Sequence, residues 1–204
     1  MRGVFVTGTD TDIGKTLVSA WLTRHWRAEY WKPVQTGAAE DSDSATISAL
    51  VPAAVIHPPA NLFQSALSPH AAAELEGTRI ELDAMPLPAG AGPLVVEGAG
   101  GILAPLNDTA LTIDFAARLG LPVLVVARSG LGTLNHTLLT LEALRRRGLS
   151  ILGVVMNGAA NPANRRAIEH FGAVAVLAEI PPLADPASLD ALAPPAFPCP
   201  EVPA

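Results

Sequence analysis

The residues best suited to chemistry stand near the start of the chain, where positions 8–16 read Gly-Thr-Asp-Thr-Asp-Ile-Gly-Lys-Thr. This stretch fits the phosphate-binding pattern G-x-x-x-x-G-K-[ST] and follows an apolar, strand-like run. Gly8 and Gly14 allow successive backbone N–H groups to surround an anion. Lys15 supplies a mobile cation for the terminal phosphates, and the Thr16 hydroxyl is a suitable ligand for Mg²⁺. The sequence therefore predicts binding of ATP with magnesium.

Two carboxylates, Asp10 and Asp12, lie inside this loop. A negative charge beside polyphosphate is unfavourable, so we expect both side chains to point away from the phosphates or to place another group. Thr9 and Thr11 offer hydroxyls to a second ligand.

Three polar residues stand at the end of other strand-like runs or directly after them. Lys32 could neutralise an anionic substrate or a developing charge, or it could be a solvated surface lysine. Glu97 precedes a glycine run, where it could meet Mg²⁺ or stand exposed before a turn. Asn157 could read the edge of an adenine base or occupy an ordinary turn.

A fourth polar residue, Asp43, stands near the start of a predicted helix, in the sequence Asp-Ser-Asp-Ser at positions 41–44. Asp and Ser are preferred helix N-caps, and a carboxylate is also a metal ligand. The residues alone leave capping and metal binding open.

The elements that must position these residues alternate between short apolar runs and helical patterns. Strands are predicted at residues 3–7, 29–33, 94–97, 123–127, 151–156 and 173–177. Helices are predicted at residues 15–27, 43–50, 69–76, 114–119, 134–147 and 162–171. Apolar strands separated by helices indicate a three-layer α/β fold, with a mostly parallel sheet flanked by helices on both faces. Sites in such sheets lie at the carboxyl ends of the strands.

Composition limits the classes of protein that fit. The 204 residues suit a single domain, with a proline-rich tail at 194–204 that we expect to pack loosely. The net charge of −6 argues against non-specific binding of nucleic acid. The sequence contains no uninterrupted apolar run of about 20 residues, so it predicts no membrane-spanning helix. A single cysteine, Cys199, and no secretory pattern before the first strand favour the cytoplasm.

Taken in chain order, these motifs resemble the dethiobiotin synthetase family, whose fold is P-loop NTPase-like. The similarity covers about residues 4–185 and begins with positions 6–16, a signature more specific than a general phosphate loop. Later matching blocks are Lys32-Pro33-Val34 with Thr36-Gly37, Ser68-Pro69-His70, residues 96–101, residues 105–108, residues 132–136, Asn157 and residues 179–181.

This resemblance implies an enzyme of biotin biosynthesis that closes the ureido ring of dethiobiotin from diaminopelargonic acid, CO₂ and MgATP. It implies that a carbamate forms on one amine and attacks the γ-phosphate to give a carbamic–phosphoric anhydride. The second amine then displaces phosphate and closes the ring. An anion that attacks another anion requires several cations nearby. The resemblance also implies a homodimer that receives the substrate carboxylate near the start of the helix at 132–135.

The resemblance assigns roles residue by residue. It implies catalytic roles for Lys15, Lys32 and Thr11, substrate contacts for Thr36, Gly132 and Asn135, and metal binding by Thr16, Asp43 and Glu97. It implies ATP contacts for Asp12, Ile13, Gly14, Lys15, Thr16, Leu17, Asp43, Glu97, Gly98, Ala99, Gly100, Asn157, Pro181, Pro182 and Leu183. Gln35, Gly158 and Pro182 depart from the common family pattern, which leaves the base preference open.

Two other classes of enzyme share a phosphate loop. A glutamine-dependent amidating ligase needs a nucleophilic cysteine, and Cys199 stands in a proline-rich tail without such a context. A ParA- or MinD-like ATPase switch carries an additional lysine early in the loop, whereas positions 9–13 read Thr-Asp-Thr-Asp-Ile. The sequence favours neither class.

Overall fold

The computed structural model describes residues 2–39, 42–183 and 185–202. The strands among these residues are β1 (Gly3–Gly8), β2 (Glu29–Trp31), β3 (Val34–Gln35), β4 (Ile56–His57), β5 (Asn61–Leu62), β6 (Leu94–Gly101), β7 (Val123–Arg128), β8 (Ile151–Asn157) and β9 (Val176–Ile180). A seven-stranded parallel sheet has the spatial order β4-β2-β6-β1-β7-β8-β9, and β3 pairs separately with β5.

Helices cover both faces of the large sheet. They are α1 (Lys15–Trp26), α2 (Asp43–Leu50), α3 (Pro69–Leu75), α4 (Thr112–Leu119), α5 (Thr133–Arg146) and α6 (Pro162–Gly172), with short 3₁₀ helices at Leu82–Ala84 and Pro186–Ala191. Within the described part of the chain, no helix combines the length and apolar character that crossing a bilayer requires.

Alternate residues of β1 enter two separate apolar cores. Phe5 packs with Phe115 of α4 on one face, while Val4 and Val6 pack with Leu22 of α1 on the other. This alternation follows from the two-residue period of a strand. The predicted three-layer α/β fold is confirmed.

One strand extends further than its apolar pattern predicts. The strand predicted at residues 94–97 continues to Gly101, because the glycine run stays paired with β1 and Gly101 lies opposite Gly8. Glu97 therefore lies inside a central strand rather than at its end.

Two other strand predictions were wrong in extent. The last strand, predicted at residues 173–177, begins three residues later, because Ala173 adopts a left-handed conformation that ends α6. The strand predicted at residues 29–33 stops at Trp31. Pro33 has no N–H to donate, and the chain resumes pairing only in β3.

The prediction of a loosely packed tail was wrong for two of its residues, Phe197 and Cys199. The Phe197 ring lies edge-on to Trp21 and Trp26 of α1, at centroid distances of 6.1 and 5.7 Å. Cys199 is buried. The rings of Trp21 and Trp26 therefore provide a surface on α1 that Phe197 helps to cover.

Glu29 joins three segments at one side of the sheet. Its carboxylate lies 2.6 Å from His57 Nε2 in β4 and accepts a 3.0 Å hydrogen bond from the Gly92 N–H ahead of β6. The hydrogen bond from Gly92 is the largest cause that lowers the pKa of Glu29; burial opposes it and His57 reinforces it. The folded state therefore favours the ionised carboxylate.

This lowered pKa predicts an acid-sensitive contribution to stability. The contribution is complete above the ordinary carboxyl pKa of 4.5 and is lost as pH falls through the lower folded value. We expect Glu29→Gln to lower the free energy of unfolding by about 1 kcal/mol at neutral pH, because one hydrogen-bonded charge is lost.

Urea unfolding of both proteins at pH 7 and at several acid values measures this difference, which should narrow below pH 4.5. Glu81→Gln, at an exposed glutamate paired with Arg79, should change stability little at any pH. A wild-type advantage that stayed constant down to strongly acid pH would contradict the assignment.

Candidate active site

The phosphate loop joins the end of β1 to the start of α1 and is braced by a distant side chain. The Asn157 amide donates a 3.0 Å hydrogen bond to the Ile13 carbonyl. Gly14 has a φ of +91°, and a β-carbon there would lie 2.1 Å from Asn157 Nδ2. Only glycine fits both the backbone conformation and the space beside Asn157.

Asp10 turns its carboxylate to the side of this loop. One oxygen accepts a 2.8 Å hydrogen bond from the Thr11 N–H, and the other lies 2.8 Å from Arg128 of β7. The Asp10 carbonyl accepts a 3.0 Å hydrogen bond from Lys15 Nζ. Asp10 thus places Arg128 and Lys15, in line with the expectation of a positioning role. Asp12 is exposed with a φ of +54°.

Lys32 is the centre of a buried group of charges. Its ammonium lies 2.8 Å from Asp43 Oδ2 and 2.9 Å from Glu97 Oε1, and it donates a 3.2 Å hydrogen bond to the Gly98 carbonyl. The residue is only 4% exposed. The alternative that Lys32 is a solvated surface lysine is therefore wrong.

Two carboxylate oxygens of the same group converge on the Thr16 hydroxyl. The Thr16 hydroxyl lies 2.5 Å from Asp43 Oδ1 and 3.1 Å from Glu97 Oε1. A hydroxyl carries one proton and cannot donate to both carboxylates at once. A hydroxyl with two carboxylates is a donor set that suits Mg²⁺, which prefers oxygen ligands and completes its shell with water and phosphate.

The structure gathers no three His, Cys, Asp or Glu side chains into a metal-binding group within the ranges it describes. A cation at this place would therefore depend on the threonine hydroxyl together with the two carboxylates. The observed cluster fits a magnesium ion shared with a nucleotide better than a metal held by protein alone.

Asp43 belongs to the cluster and does not cap its helix. The cap of α2 is Ser42, whose hydroxyl accepts a 3.4 Å hydrogen bond from the Ala45 N–H. The Asp43 carboxylate turns instead toward Lys32 and Thr16. Of the two readings that the sequence left open, capping by Asp43 is wrong.

The surrounding charges and burial shift the pKa values of the two lysines in opposite directions. Burial opposes the charge on Lys32, yet Glu97 and Asp43 raise its pKa above the ordinary lysine value. Burial and the nearby Lys32 ammonium lower the pKa of Lys15. Burial also opposes ionisation of Asp43, but Lys32 lowers the pKa of that carboxyl. The two ammonium groups therefore act on one another and on the same carboxylates.

Glu97 is completely buried and has a second neutral partner. The Tyr30 hydroxyl donates a 3.0 Å hydrogen bond to Glu97 Oε2. Burial, reinforced by Glu97, raises the pKa of Tyr30 well above its ordinary value. Tyr30 therefore stays protonated and keeps donating to the carboxylate.

The residues expected to hold the base meet at the end of two adjacent strands. Asn157 lies opposite Ile180 in the pairing of β8 with β9. Residues 181–183, which are Pro181, Pro182 and Leu183, continue directly from β9. Their contact with adenine remains a prediction.

The other predicted residues occupy the same edge of the sheet at different distances from the cluster. Gly98, Ala99 and Gly100 continue β6 beside the loop, Leu17 lies in the first turn of α1, and Thr36 follows β3 directly. Gly132 and Asn135 are exposed at the start of α5, outside the hydrogen-bonded cluster.

A cavity of about 380 Å³ lies on the other side of the phosphate loop. It is lined by Thr9 and Asp10 of the loop, by residues 101–104, and by His136, Leu139 and Thr140 of α5. The cavity joins the phosphate loop to the face of α5.

Three residues of the site were missed by sequence reasoning: Tyr30, Gln35 and Arg128. Tyr30 precedes Lys32 by two positions, and this strand alternation was an available signal. Gln35 and Arg128 act through contacts with Asp43 and Asp10 that span 8 and 118 positions. No local pattern reveals such contacts.

We expect Gly14→Ala to weaken ATP binding at least about tenfold, because alanine at positive φ is strained and its β-carbon would displace Asn157. Titration calorimetry with MgATP measures the affinity. Gly120→Ala is the matched control: its φ is +67°, and a β-carbon there meets nothing within 4 Å. An unchanged affinity in Gly14→Ala would contradict the bracing of the loop by Asn157.

Comparison with solved structures supports the fold alone. A plasmid partition protein from Borrelia burgdorferi superposes with a TM-score of 0.56 at 10% identity, covering 90% of this chain and 88% of that one. The MinC:MinD cell division complex of Aquifex aeolicus gives a TM-score of 0.51 at 10% identity, with 90% and 83% covered. Both comparisons agree with the parallel α/β architecture described above.

Comparison of sequences is more specific. Residues 2–188 match the family model described as an AAA domain. The chain is 62% identical over 202 residues to the ATP-dependent dethiobiotin synthetase BioD of Paramagnetospirillum magneticum, covering 98% of both proteins. It is 44% identical over 177 residues to the protein of the same name from Lawsonia intracellularis, covering 87% of this chain and 86% of that one.

A third relative is the biotin biosynthesis bifunctional protein BioCD of Bordetella avium, which is 60% identical over 185 residues. The match covers 89% of this chain and 40% of that longer protein. The family model and the Paramagnetospirillum match span the part of the chain that holds the phosphate loop and the buried charge cluster. The chain belongs to the ATP-dependent dethiobiotin synthetase family.

Proposed function

We propose that this chain, folding as one domain in the cytoplasm, closes the ureido ring of dethiobiotin from diaminopelargonic acid, CO₂ and ATP. The observation that carries the proposal is the buried Lys32 ammonium held by Asp43 and Glu97, whose carboxylates also meet Thr16, the residue after Lys15 in the phosphate loop. Two ammonium groups in one buried site can bring together two anions that repel each other in water.

The chemistry that we propose is a phosphoryl transfer followed by ring closure. A carbamate on one substrate amine attacks the γ-phosphate of ATP, which releases ADP and forms a carbamic–phosphoric anhydride. The second amine then attacks the carbamoyl carbon and expels phosphate. Lys15 would hold the terminal phosphates, Lys32 would neutralise the carbamate, and Thr11 and Thr36 would orient it.

Thr16, Asp43 and Glu97 would hold a magnesium ion with the ATP. When bound, this ion would neutralise charge on the phosphates as they transfer. The same two carboxylates hold Lys32, so they would be shared between the lysine and the metal.

The adenine would lie beside Asn157 and residues 181–183. Because the Asn157 amide nitrogen donates to the Ile13 carbonyl, the amide oxygen would serve the base as an acceptor. An acceptor suits the exocyclic amino group of adenine better than the oxygen of guanine. This arrangement favours ATP as the phosphoryl donor.

Amidation with glutamine-derived ammonia is the less favoured alternative. Cys199 is buried, and burial raises the pKa of its thiol to about 11. A thiol with so high a pKa is a poor nucleophile at neutral pH. The described residues therefore support a ligase that uses amines of its own substrate.

Incubation of the protein with diaminopelargonic acid, bicarbonate, Mg²⁺ and ATP should yield dethiobiotin and ADP in equal amounts, detected by mass spectrometry. We expect Lys32→Ala to lower kcat at least about a hundredfold, because one stabilising cation is lost from the transition state. Arg24→Ala, which removes a cation from an exposed ion pair with Asp190, is the matched control and should keep full turnover.

Circular dichroism should show that the Lys32 variant is folded in the presence of MgATP. Absence of dethiobiotin with the wild-type protein would reject the proposed reaction. Full turnover by a folded Lys32→Ala protein would reject the role of the second lysine.

We also propose that the active form is a homodimer in which α5 faces the partner. Leu139 of α5 and Leu103 are more than half exposed and line the cavity beside the phosphate loop, and Leu131 before α5 is fully exposed. Exposed leucines grouped around a functional cavity are typical of a covered surface. The start of α5, with Gly132 and Asn135, would then serve the substrate carboxylate.

We expect Leu139→Asp to produce a monomer with reduced dethiobiotin formation, because a carboxylate would be desolvated in the apolar interface. Sedimentation velocity measures the mass of both proteins. Phe171→Asp, at an apolar residue of α6 that is 69% exposed, is the matched control and should leave the mass unchanged. A monomeric and active wild-type protein would contradict the dimer.

A further inference from the structure

Gln35 is a buried amide between the end of β3 and the start of α2. Its side-chain oxygen accepts a 3.1 Å hydrogen bond from the Asp43 N–H, and its side-chain nitrogen donates a 2.8 Å hydrogen bond to the Thr36 carbonyl. The residue is 5% exposed. One side chain therefore joins a residue assigned to the metal with a residue assigned to the substrate.

The hydrogen bond to Gln35 gives the Asp43 N–H an acceptor that the helix itself does not provide. The first N–H groups of a helix have no acceptor within it. Ser42 accepts from the Ala45 N–H, and Gln35 accepts from the N–H of Asp43, the first residue of α2. The contact fixes the backbone of Asp43 across eight positions of sequence.

The position of the Asp43 backbone matters because its carboxylate has two partners on different elements. One oxygen lies 2.5 Å from the Thr16 hydroxyl and the other 2.8 Å from Lys32 Nζ. A small shift at the start of α2 would change both distances together. The spacing of the three oxygens proposed for magnesium therefore depends on what holds this end of the helix.

We propose that Gln35 is a positioning residue that sets the Asp43 carboxylate for the nucleotide-bound metal by tying α2 to the end of β3. This inference rests on the proposed function, since it concerns the same site. Side chains that orient metal ligands typically change metal affinity 10- to 100-fold when they are replaced. Gln35 is uncharged, so it acts by fixing the position of Asp43 and adds no charge to the cluster.

The experiment uses the full-length protein, with Mn²⁺ as the probe and a non-hydrolysable ATP analogue present. Free Mn²⁺ is measured by electron paramagnetic resonance during a titration. Gln35→Met keeps the length of the side chain but removes its amide. We expect its Mn²⁺ affinity in the ternary complex to fall at least about tenfold, while the affinity for the analogue in EDTA stays within about twofold of wild type.

Gln35→Asn is a second variant in case the methionine protein does not fold. It keeps the amide but is one methylene too short to join both partners, so we expect the same loss of Mn²⁺ affinity. Ser42→Ala is the matched control, because it removes a side-chain cap from the same helix end without removing the acceptor for Asp43. It should lower Tm and leave Mn²⁺ affinity unchanged.

Wild-type affinity in a folded Gln35 variant would overturn the inference. An equal loss of Mn²⁺ affinity in Ser42→Ala would also overturn it, because Gln35 would then act only through general stability of α2. If the wild-type protein itself bound no Mn²⁺ with the nucleotide analogue, the proposed metal site would fail, which is a different result from the failure of Gln35 alone.

Discussion

The buried ammonium of Lys32, held between Asp43 and Glu97, is the interaction on which the arrangement of the site depends. Charges removed from water are costly unless each has a close partner. Here one cation meets two carboxylates within 2.9 Å, and a threonine hydroxyl and a tyrosine hydroxyl complete the contacts. The group can exist only if the end of β2, the middle of β6, the start of α1 and the start of α2 converge.

The use of lysine for both cations of this group suits a site that is proposed to bind phosphate and carbamate in turn. The chain contains two lysines, Lys15 and Lys32, and both belong to the site. An ammonium is a compact charge on a flexible stem, whereas the guanidinium group of arginine is planar and fixed in its geometry. The pKa of Lys32 is raised and that of Lys15 is lowered. The charged form of Lys15 therefore gains more from an added anion than the charged form of Lys32 does. A phosphate group beside Lys15 would stabilise the ammonium form that burial disfavours, because the two charges attract each other.

The phosphate loop could be predicted because its chemistry is local. The glycines, Lys15 and Thr16 lie within nine positions. The strand and the helix that flank them are also predicted by their sequence patterns. The family resemblance added Asp43 and Glu97 to the site, and the structure brings both to Thr16 and Lys32. Their juxtaposition could not be read from spacing, because it depends on β2 lying next to β6 in the sheet order.

What sequence patterns missed has two physical causes. Contacts made through backbone groups, such as the hydrogen bond from the Asp43 N–H to Gln35, carry no signal in the type of the residue that donates. Glycines give an ambiguous signal, because they are typical of turns yet also fit a tightly paired central strand. Residues 98–101 continue β6 for that reason, which places Glu97 inside the core instead of at an exposed turn.

The central claim is that one cation-rich site serves both the metal–nucleotide and the anionic substrate. The measurement that tests it most directly is a crystal structure with Mg²⁺, a non-hydrolysable ATP analogue and diaminopelargonic acid incubated with bicarbonate. The account predicts magnesium on Thr16, Asp43 and Glu97, with Lys15 and Lys32 both contacting the γ-phosphate or the carbamate. A metal bound elsewhere, with Lys32 still paired to both carboxylates and remote from either ligand, would contradict it.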